Sequence, residues 1–195
     1  MTTVAVFHSV LGVRPGIDQA AELLRSHGHE VRVVDQYDGT VFDDYDLAGA
    51  YVEKVGFPVL MARAVKLTAD LPDGFVAIGF SNGGGMAEYV AAKRRRLRGV
   101  VIVSGALDPA EIGVTWPSAV PAQLHATVGD PRRVQAWIDA VVAAVERAGA
   151  TAEVFDYPGS GHLFADASKA DEYQPAEADL MWSRVTGFLA RSEAC

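Results

Sequence analysis

Short apolar runs alternate along this chain with longer stretches in which apolar residues recur at helical spacing. Most of the runs are rich in β-branched residues and apolar on both faces, which is typical of buried parallel strands. The predicted strands are VAVF, EVRVVDQY, FVAI, GVVIVSGA, QLHATVGD and AEVFDYPG. Because amphipathic segments lie between them, the pattern predicts an α/β domain with a doubly wound, mostly parallel sheet and helices on both faces.

Proline and glycine indicate where the predicted helices begin and end. The helix IDQAAELLRSHG ends at a glycine, and a helix over residues 58–70 begins at Pro58 and ends before Pro72. The acidic stretch around residues 43–46 is predicted to be a loop. Two later helices are RRVQAWIDAVVAAVERAG and the segment from Pro175 to Leu189. The last helix is expected to cover the sheet with Leu180, Met181, Val185, Phe188 and Leu189.

Composition limits the number of domains and the kind of partner. With 195 residues, half of them apolar, the chain is expected to form one domain spanning residues 1–195, as a monomer or small homo-oligomer. The net charge of -8 disfavours nucleic acid and anionic membranes, so a small molecule is the expected partner. The basic run from Lys93 to Arg96, with Arg98, falls where a helix is predicted to end. Cations there offset the helix dipole, so we predict a solvated helix terminus rather than an anion-binding patch.

The expected location is the cytoplasm. The single cysteine, Cys195, has no partner for an intramolecular disulfide. The first residues lack the basic segment of a signal peptide, and no apolar stretch is long enough to span a bilayer.

The segment FVAIGFSNGGG carries the strongest chemical signal, G-x-S-x-G directly after a predicted strand and before a helix. A serine on such a sharp turn leaves no room for side chains two residues away, which explains Gly79 and Gly83. The amide of Asn82 is then placed at a helix N-terminus, where it is able to donate to an oxyanion beside Ser81. A phosphate cradle or an ordinary tight turn are the alternatives.

A base and an acid are available further along the chain. Asp130 follows the strand QLHATV, and His162 lies in the glycine-rich loop after AEVFDYP. The order Ser81, Asp130, His162, each after a separate parallel strand, is that of the α/β-hydrolases. Taken singly, Asp130 is also a possible N-cap for the next helix, and His162 a loop histidine bonded to backbone.

The loop FHSVLGVRPG after the first strand is where a second oxyanion donor is expected, with Val10 as first choice and Ser9 as second; a plain glycine turn is the alternative. Of the other histidines, His27 and His29 are expected to be exposed and His125 to be a buried, hydrogen-bonded residue. No metal-ligand spacing is present, so neither a metal nor a cofactor is expected.

On these segments the chain resembles the dienelactone hydrolase family, a compact branch of the α/β-hydrolases without a large cap. The similar pieces are FHSVLGV, VVDQY, GFSNGG, LHATVGD and GSGHLFAD, which together extend over almost the whole length. The resemblance implies Ser81 as nucleophile, Asp130 as acid, His162 as base, and the amides of Val10 and Asn82 as oxyanion donors. It also implies close packing at Gly84; no reason for Gly85 is evident from the sequence.

The chain departs from the family pattern at three positions. Ser81 stands where the type enzyme has its cysteine, and Ser9 where it has a glutamate that contacts that cysteine. Asp166 stands where an arginine holds the substrate carboxylate, so an anionic lactone is expected to be repelled. A neutral ester fits better. Ser9, Tyr37, Phe80, Trp116 and Phe164 are the predicted substrate-binding residues.

The function expected from the sequence is hydrolysis of small carboxylic esters or lactones by a serine-dependent enzyme that forms an acyl-enzyme. An amidase, thioesterase or acyltransferase with the same triad is an alternative that the sequence does not separate. A non-catalytic ligand-binding domain is a second, although no G-x-G-x-x-G or P-loop lysine is present.

Overall fold

The computed structural model describes residues 1–94 and 96–193, and within them six strands and six helices alternate around one sheet. Arg95 and Cys195, on which two of the sequence interpretations fall, lie outside the described residues. The elements are β1 (Thr3–Phe7), α1 (Pro15–Ser26), β2 (Glu30–Val34), α2 (Tyr45–Val55), α3 (Phe57–Leu67), β3 (Val76–Phe80), α4 (Asn82–Arg94), β4 (Gly99–Val103), β5 (Ala122–Thr127), α5 (Gln135–Arg147), β6 (Ala152–Tyr157) and α6 (Pro175–Glu193).

The sheet order is β2-β1-β3-β4-β5-β6, and every neighbouring pair is parallel. The doubly wound parallel sheet predicted from the sequence is therefore confirmed. Of the four inner strands, β3, β4 and β5 are buried along their whole length, whereas the edge strands β2 and β6 are partly exposed. Because all strands point the same way, the loops that follow β1, β3, β5 and β6 meet at one edge of the sheet.

Helix α2 corrects the loop predicted around residues 43–46. The carboxylate of Asp44 caps this helix by accepting from the amides of Asp46 and Leu47, both at 2.9 Å. Only Ala48 of α2 is buried, so the helix lacks the wide apolar stripe that reveals a helix in a sequence. Strand β2 also ends earlier than predicted, because the chain turns at Asp35.

Helix α6 buries four of the five side chains expected to cover the sheet, but Leu180 is 47% exposed. It is offset by one residue from Met181, which is buried, and successive helical residues point about 100° apart.

The predicted end of α4 is confirmed, since Lys93 and Arg94 lie in its last turn. Among the described residues no helix is both long and apolar enough to cross a membrane. The assignment of residues 1–195 to one domain stays a prediction.

Candidate active site

Ser81 occupies the turn between β3 and α4 in a left-handed backbone conformation, with φ of 49°. Such a conformation is costly for a residue that is not glycine, and it persists where the surroundings fix it. Here the Ser81 amide donates to the carbonyl of Val103 at 2.7 Å, and the Ser81 carbonyl accepts from the Gly84 amide at 2.7 Å. The turn therefore holds the serine between β4 and the first turn of α4.

The glycines around this serine allow backbone segments to approach closely. A Cβ on Gly79 would lie 2.0 Å from the carbonyl oxygen of Gly83, and one on Gly83 would lie 2.3 Å from that of Phe7. Gly85, for which the sequence offered no explanation, has one in the fold. A Cβ there would lie 2.3 Å from Cδ1 of Leu107, so the glycine leaves room for that side chain.

Three sequence-predicted residues form one hydrogen-bonded chain at the sheet edge. Oγ of Ser81 lies 2.7 Å from Nε2 of His162, and Nδ1 of His162 lies 2.7 Å from Oδ2 of Asp130. Since a carboxylate only accepts, Nδ1 carries the proton and Nε2 is left to accept from the serine hydroxyl. Ser81, His162 and Asp130 are 9%, 6% and 7% exposed, so the chain is almost entirely shielded from water.

The structure removes the alternative roles for two of these residues. Helix α5 begins at Gln135 with Val134 as its N-cap, so Asp130 does not cap it. Instead, Oδ1 of Asp130 accepts from the Arg132 amide at 2.8 Å, which leaves Oδ2 facing His162. The ring nitrogens of His162 contact side chains rather than backbone.

The loop that carries His162 is held by residues whose importance was not evident from the sequence. Glu172 accepts from the Leu163 amide at 2.7 Å and from the hydroxyl of Tyr45 at 2.9 Å. Burial and the neighbouring Glu172 carboxylate raise the pKa of Tyr45 above its usual range. The Tyr45 ring lies 6.3 Å from the imidazole of His162, and the Arg132 guanidinium lies 4.2 Å from the centre of the same tyrosine ring. Tyr45 belongs to α2, which begins in a segment predicted to be a loop. Its position near His162 is therefore evident only from the packing of that helix.

A cavity of about 230 Å³ opens beside Ser81 and His162. One of its cations, Arg133, is paired with Asp156 at 2.7 Å, and the other, Arg132, is exposed. The rest of the wall is mostly apolar and comes from α3, α5, strands β4 to β6 and the loops after them, with Phe57, Ile102, Leu107, Leu124, Trp137, Ile138 and Val154. The site thus pairs a buried serine with an apolar space.

The five predicted substrate-binding residues lie elsewhere among the described residues, outside the lining of this cavity. Trp116 is buried in the core and donates from Nε1 to the Val120 carbonyl at 2.8 Å. Phe164 is buried against Tyr157, with ring centres 5.2 Å apart. Direct contact of these two aromatic rings with a molecule in the cavity is therefore not expected.

The other three residues contact different parts of the structure. Phe80 packs against Trp182, and Phe80 and Ser9 line a separate space of only about 10 Å³. The hydroxyl of Tyr37 accepts from Nδ2 of Asn82 at 3.3 Å. Their predicted role in substrate binding stays a prediction, and Phe57 and Trp137 are the aromatic residues that line the larger cavity.

The residues predicted to supply oxyanion donors lie at the start of a helix and in the loop after β1. Asn82 is the first residue of α4, so its amide has no helical carbonyl to bond. Val10 follows Ser9, whose carbonyl accepts from the Gly12 amide at 3.1 Å and whose hydroxyl accepts from the Leu11 amide at 3.2 Å. The donor role of the two amides stays a prediction.

Asp166, expected to repel an anion, is buried and faces Arg14 at 3.9 Å between its carboxylate and Nε. It also accepts from the hydroxyl of Ser168 at 2.5 Å and lines the 10 Å³ space rather than the larger cavity. Arg14 also pairs with Asp43, and the repulsion of an anion by Asp166 stays a prediction.

His125 is buried as predicted, with ring nitrogens 2.8 Å from the Tyr157 hydroxyl and 3.2 Å from Oε1 of Gln123. Burial lowers its pKa to about 3, so the ring is neutral. His27 is exposed, and His29 is half-buried rather than exposed. Within residues 1–94 and 96–193 no group of three or more His, Cys, Asp or Glu side chains is arranged to hold a metal ion.

Glu88 on α4 is a fully buried carboxyl whose Oε1 accepts from the Leu107 amide at 2.9 Å. Burial raises its pKa well above the usual value. Because the folded protein keeps this proton at pH values where the unfolded chain releases it, the contribution of Glu88 to stability falls as pH rises above about 4.3. The Glu88→Gln variant keeps the acceptor and cannot ionise. We expect its free energy of unfolding to match the wild type near pH 4 and to exceed it increasingly toward pH 8.

Urea unfolding at several pH values measures this difference. Glu146→Gln, an exposed position on α5, is the control and should show no such trend. A stability difference between Glu88→Gln and wild type that does not change with pH would contradict the assignment of a buried neutral acid.

The sheet order, with a serine after β3, an aspartate after β5 and a histidine after β6, defines this as an α/β-hydrolase fold. The sequence pattern that describes the dienelactone hydrolase family matches residues 1–192, and the chain belongs to that family. This confirms the resemblance noted from its motifs.

Solved structures of similar fold include two named as dienelactone hydrolases or hydrolase-like enzymes. One is a dienelactone hydrolase-like promiscuous phosphotriesterase from metagenomic libraries, with a TM-score of 0.82 and 20% identity over 98% of this chain and 86% of that one. Another is a dienelactone hydrolase from Anabaena variabilis, with a TM-score of 0.69 and 20% identity over 97% of this chain and 86% of that one. A search of curated protein sequences finds no match. At these identities the structural likeness speaks for the fold alone.

Proposed function

We propose that this protein is a serine-dependent hydrolase of small, neutral carboxylic esters or lactones. The observation that carries the proposal is the continuous hydrogen-bonded chain from Ser81 through His162 to Asp130, which opens on an apolar cavity. Membership of a hydrolase family supports the reaction class. The acid, base and nucleophile roles that we propose are those expected from the sequence.

In the proposed reaction Ser81 Oγ attacks the substrate carbonyl while His162 Nε2 takes its proton. Asp130 holds the imidazole in the tautomer that accepts, and it stabilises the positive charge that develops on the ring. The tetrahedral oxyanion accepts from the amides of Val10 and Asn82. Collapse breaks the bond to the leaving alcohol or lactone oxygen, which receives the proton from His162. Water, deprotonated by the same base, then hydrolyses the acyl-enzyme.

Direct activation of Ser81 by His162 is consistent with the change at Ser9. The Ser9 side chain is buried and its hydroxyl is bonded within its own loop, so no carboxylate from this position reaches the nucleophile. A serine hydroxyl needs a base in contact with it, and the 2.7 Å separation from His162 supplies that contact.

Because the cavity lining is mostly apolar, we propose that it binds the acyl group of the substrate. Each buried methylene contributes about 0.8 kcal/mol, which corresponds to about a fourfold gain in kcat/KM as long as the group fits. We expect kcat/KM for p-nitrophenyl esters to rise by up to about fourfold per carbon from acetyl onward and to fall once the chain exceeds the cavity. Steady-state kinetics over the series from acetyl to octanoyl measures this profile.

Two variants test whether the profile reports this cavity. Ala106→Leu adds volume to the cavity wall and should move the optimum to shorter chains, whereas Ala136→Leu, on the exposed side of α5, should leave it unchanged. A steady fall in kcat/KM from acetyl onward would show that the acyl group binds elsewhere.

A further inference from the structure

His8, at the end of β1, is completely buried, although its imidazole has no place in the proposed reaction. Its Nδ1 lies 2.6 Å from the carbonyl oxygen of Ser9. Because a carbonyl only accepts, Nδ1 must carry a proton and donate. On the other side of the ring, Nε2 lies 3.6 Å from Oδ1 of Asp35. A buried ring with only one of its two nitrogens hydrogen-bonded is costly to desolvate and calls for a physical reason.

Asp35 is a fixed carboxylate rather than a mobile surface charge. It follows β2 directly, and its two oxygens accept from the amides of Tyr37 at 2.9 Å and Gly39 at 2.6 Å. His8 first, together with these two amides, lowers the pKa of Asp35 to about 2, so the carboxylate stays ionised at neutral pH. The turn after β2 therefore places a permanent negative charge behind the His8 ring.

The contact with Ser9 has a consequence for the next residue. The carbonyl of Ser9 and the amide of Val10 belong to one planar trans peptide, so the direction of one fixes that of the other. The Ser9 carbonyl accepts from His8 and also from the Gly12 amide at 3.1 Å. Together these two donors fix the plane of the Ser9–Val10 peptide and hence the direction of the Val10 N–H.

Tyr37 connects the same group of residues to the other proposed donor. Its ring meets the His8 ring edge to face, with centres 4.5 Å apart and planes at 74°. Its hydroxyl accepts from the Asn82 side chain at 3.3 Å. Ser9, which precedes one proposed donor, and the side chain of Asn82, the other, are therefore each bonded to one group of contacting residues. We call this group the oxyanion support cluster: His8, Asp35 and Tyr37.

We propose that the residues of the oxyanion support cluster are positioning residues that orient the amides of Val10 and Asn82 for the tetrahedral oxyanion. This inference rests on the proposed function. None of the three lies in the described lining of the 230 Å³ cavity, so they act through the two amides and not on the substrate. Their effect should appear in the transition state and leave ground-state binding almost unchanged.

Two substitutions at His8 separate this role from simple packing. The side-chain amide of asparagine lies near the position of Nδ1, whereas that of glutamine lies near Nε2. His8→Asn should therefore keep the donor to Ser9 and retain kcat within about threefold. His8→Gln loses that donor, and kcat should fall by up to about 10²-fold, as on loss of one oxyanion donor, with KM changed little.

A boronic acid that forms a tetrahedral adduct on Ser81 mimics the oxyanion. Its inhibition constant would not change if His8 contributed only to stability. Its inhibition constant for His8→Gln should rise by about the same factor as kcat/KM falls. Phe75→Leu is the control for stability, because it perturbs the buried start of β3 at the opposite end of that strand. It should lower the Tm and leave kcat and inhibition unchanged.

Tyr37→Phe keeps the test open if His8→Gln does not fold. Loss of the acceptor for Asn82 should lower kcat about fivefold and raise the inhibition constant of the boronic acid by the same factor, while KM stays constant. Tyr51→Phe, whose hydroxyl lies 3.5 Å from the Tyr37 carbonyl, is the matched control and should behave as wild type.

Equal activity of the His8 variants, or losses that follow Tm instead of inhibitor affinity, would overturn the inference while Ser81 remained essential. Full activity of Tyr37→Phe would do the same. If esterase activity persisted without Ser81, the proposed function itself would fail, so the two failures are distinguishable.

Discussion

Replacing Ser81 by alanine is expected to lower kcat for a p-nitrophenyl ester by about 10⁴-fold to 10⁶-fold. The hydroxyl removed by this change is the atom that His162 contacts at 2.7 Å, and no acyl-enzyme forms without it. Alanine is a better test than glycine, because glycine would also relieve the backbone strain at φ of 49° and change stability for another reason. Stopped-time assays at high enzyme concentration measure the residual rate.

Circular dichroism and Tm accompany the assay and should match the wild type. Ser118→Ala, an exposed serine outside the cavity lining, is the control and should retain full activity. Turnover by Ser81→Ala within tenfold of the wild type would show that another group is the nucleophile.

Asp130→Asn is expected to lower kcat by about 10⁴-fold with little effect on stability. Oδ1 of Asp130 accepts from the Arg132 amide at 2.8 Å, so the asparagine carbonyl must remain at that position. The side-chain NH₂ then faces His162 Nδ1 and obliges it to accept, which moves the ring proton to Nε2. In that tautomer the histidine is unable to take the proton of Ser81.

The measurement is kcat and KM at neutral pH. Asp139→Asn is the control, because Asp139 is an exposed carboxylate on α5 and its loss should leave both constants unchanged. A loss smaller than about tenfold for Asp130→Asn would mean that this aspartate does not fix the histidine tautomer.

The parts of the site that follow strands were predictable from sequence. Strands β3, β5 and β6 appear as apolar runs that end in glycine-containing turns, and Ser81, Asp130 and His162 lie in the segments that follow them. The sequence also explains why residues 79 and 83 are glycines. The steric restriction at the serine turn acts between residues that are close along the chain, so it is visible without the fold.

The cavity was not predictable in the same way, because its wall is assembled from distant segments. Phe57 on α3, Leu107 after β4 and Trp137 on α5 meet only through tertiary packing. Trp116, which seemed equally suited from sequence, is instead bonded within the core.

Competition for backbone amides explains why β2 ends earlier than its pattern suggests. Strand β2 stops at Val34, since the carboxylate of Asp35 takes the amides of Tyr37 and Gly39. Helix α5 also starts later than its apolar spacing suggests, at Gln135, after a turn in which the Arg133 amide donates to the Asp130 carbonyl.

The most direct test of the account is covalent labelling with a fluorophosphonate probe, followed by location of the adduct by peptide mass. The wild type should carry a single adduct on the peptide that contains Ser81, and the folded Ser81→Ala protein should carry none. A folded wild-type protein that stays unlabelled, or one labelled at a different residue, would contradict the assignment of Ser81 as the nucleophile.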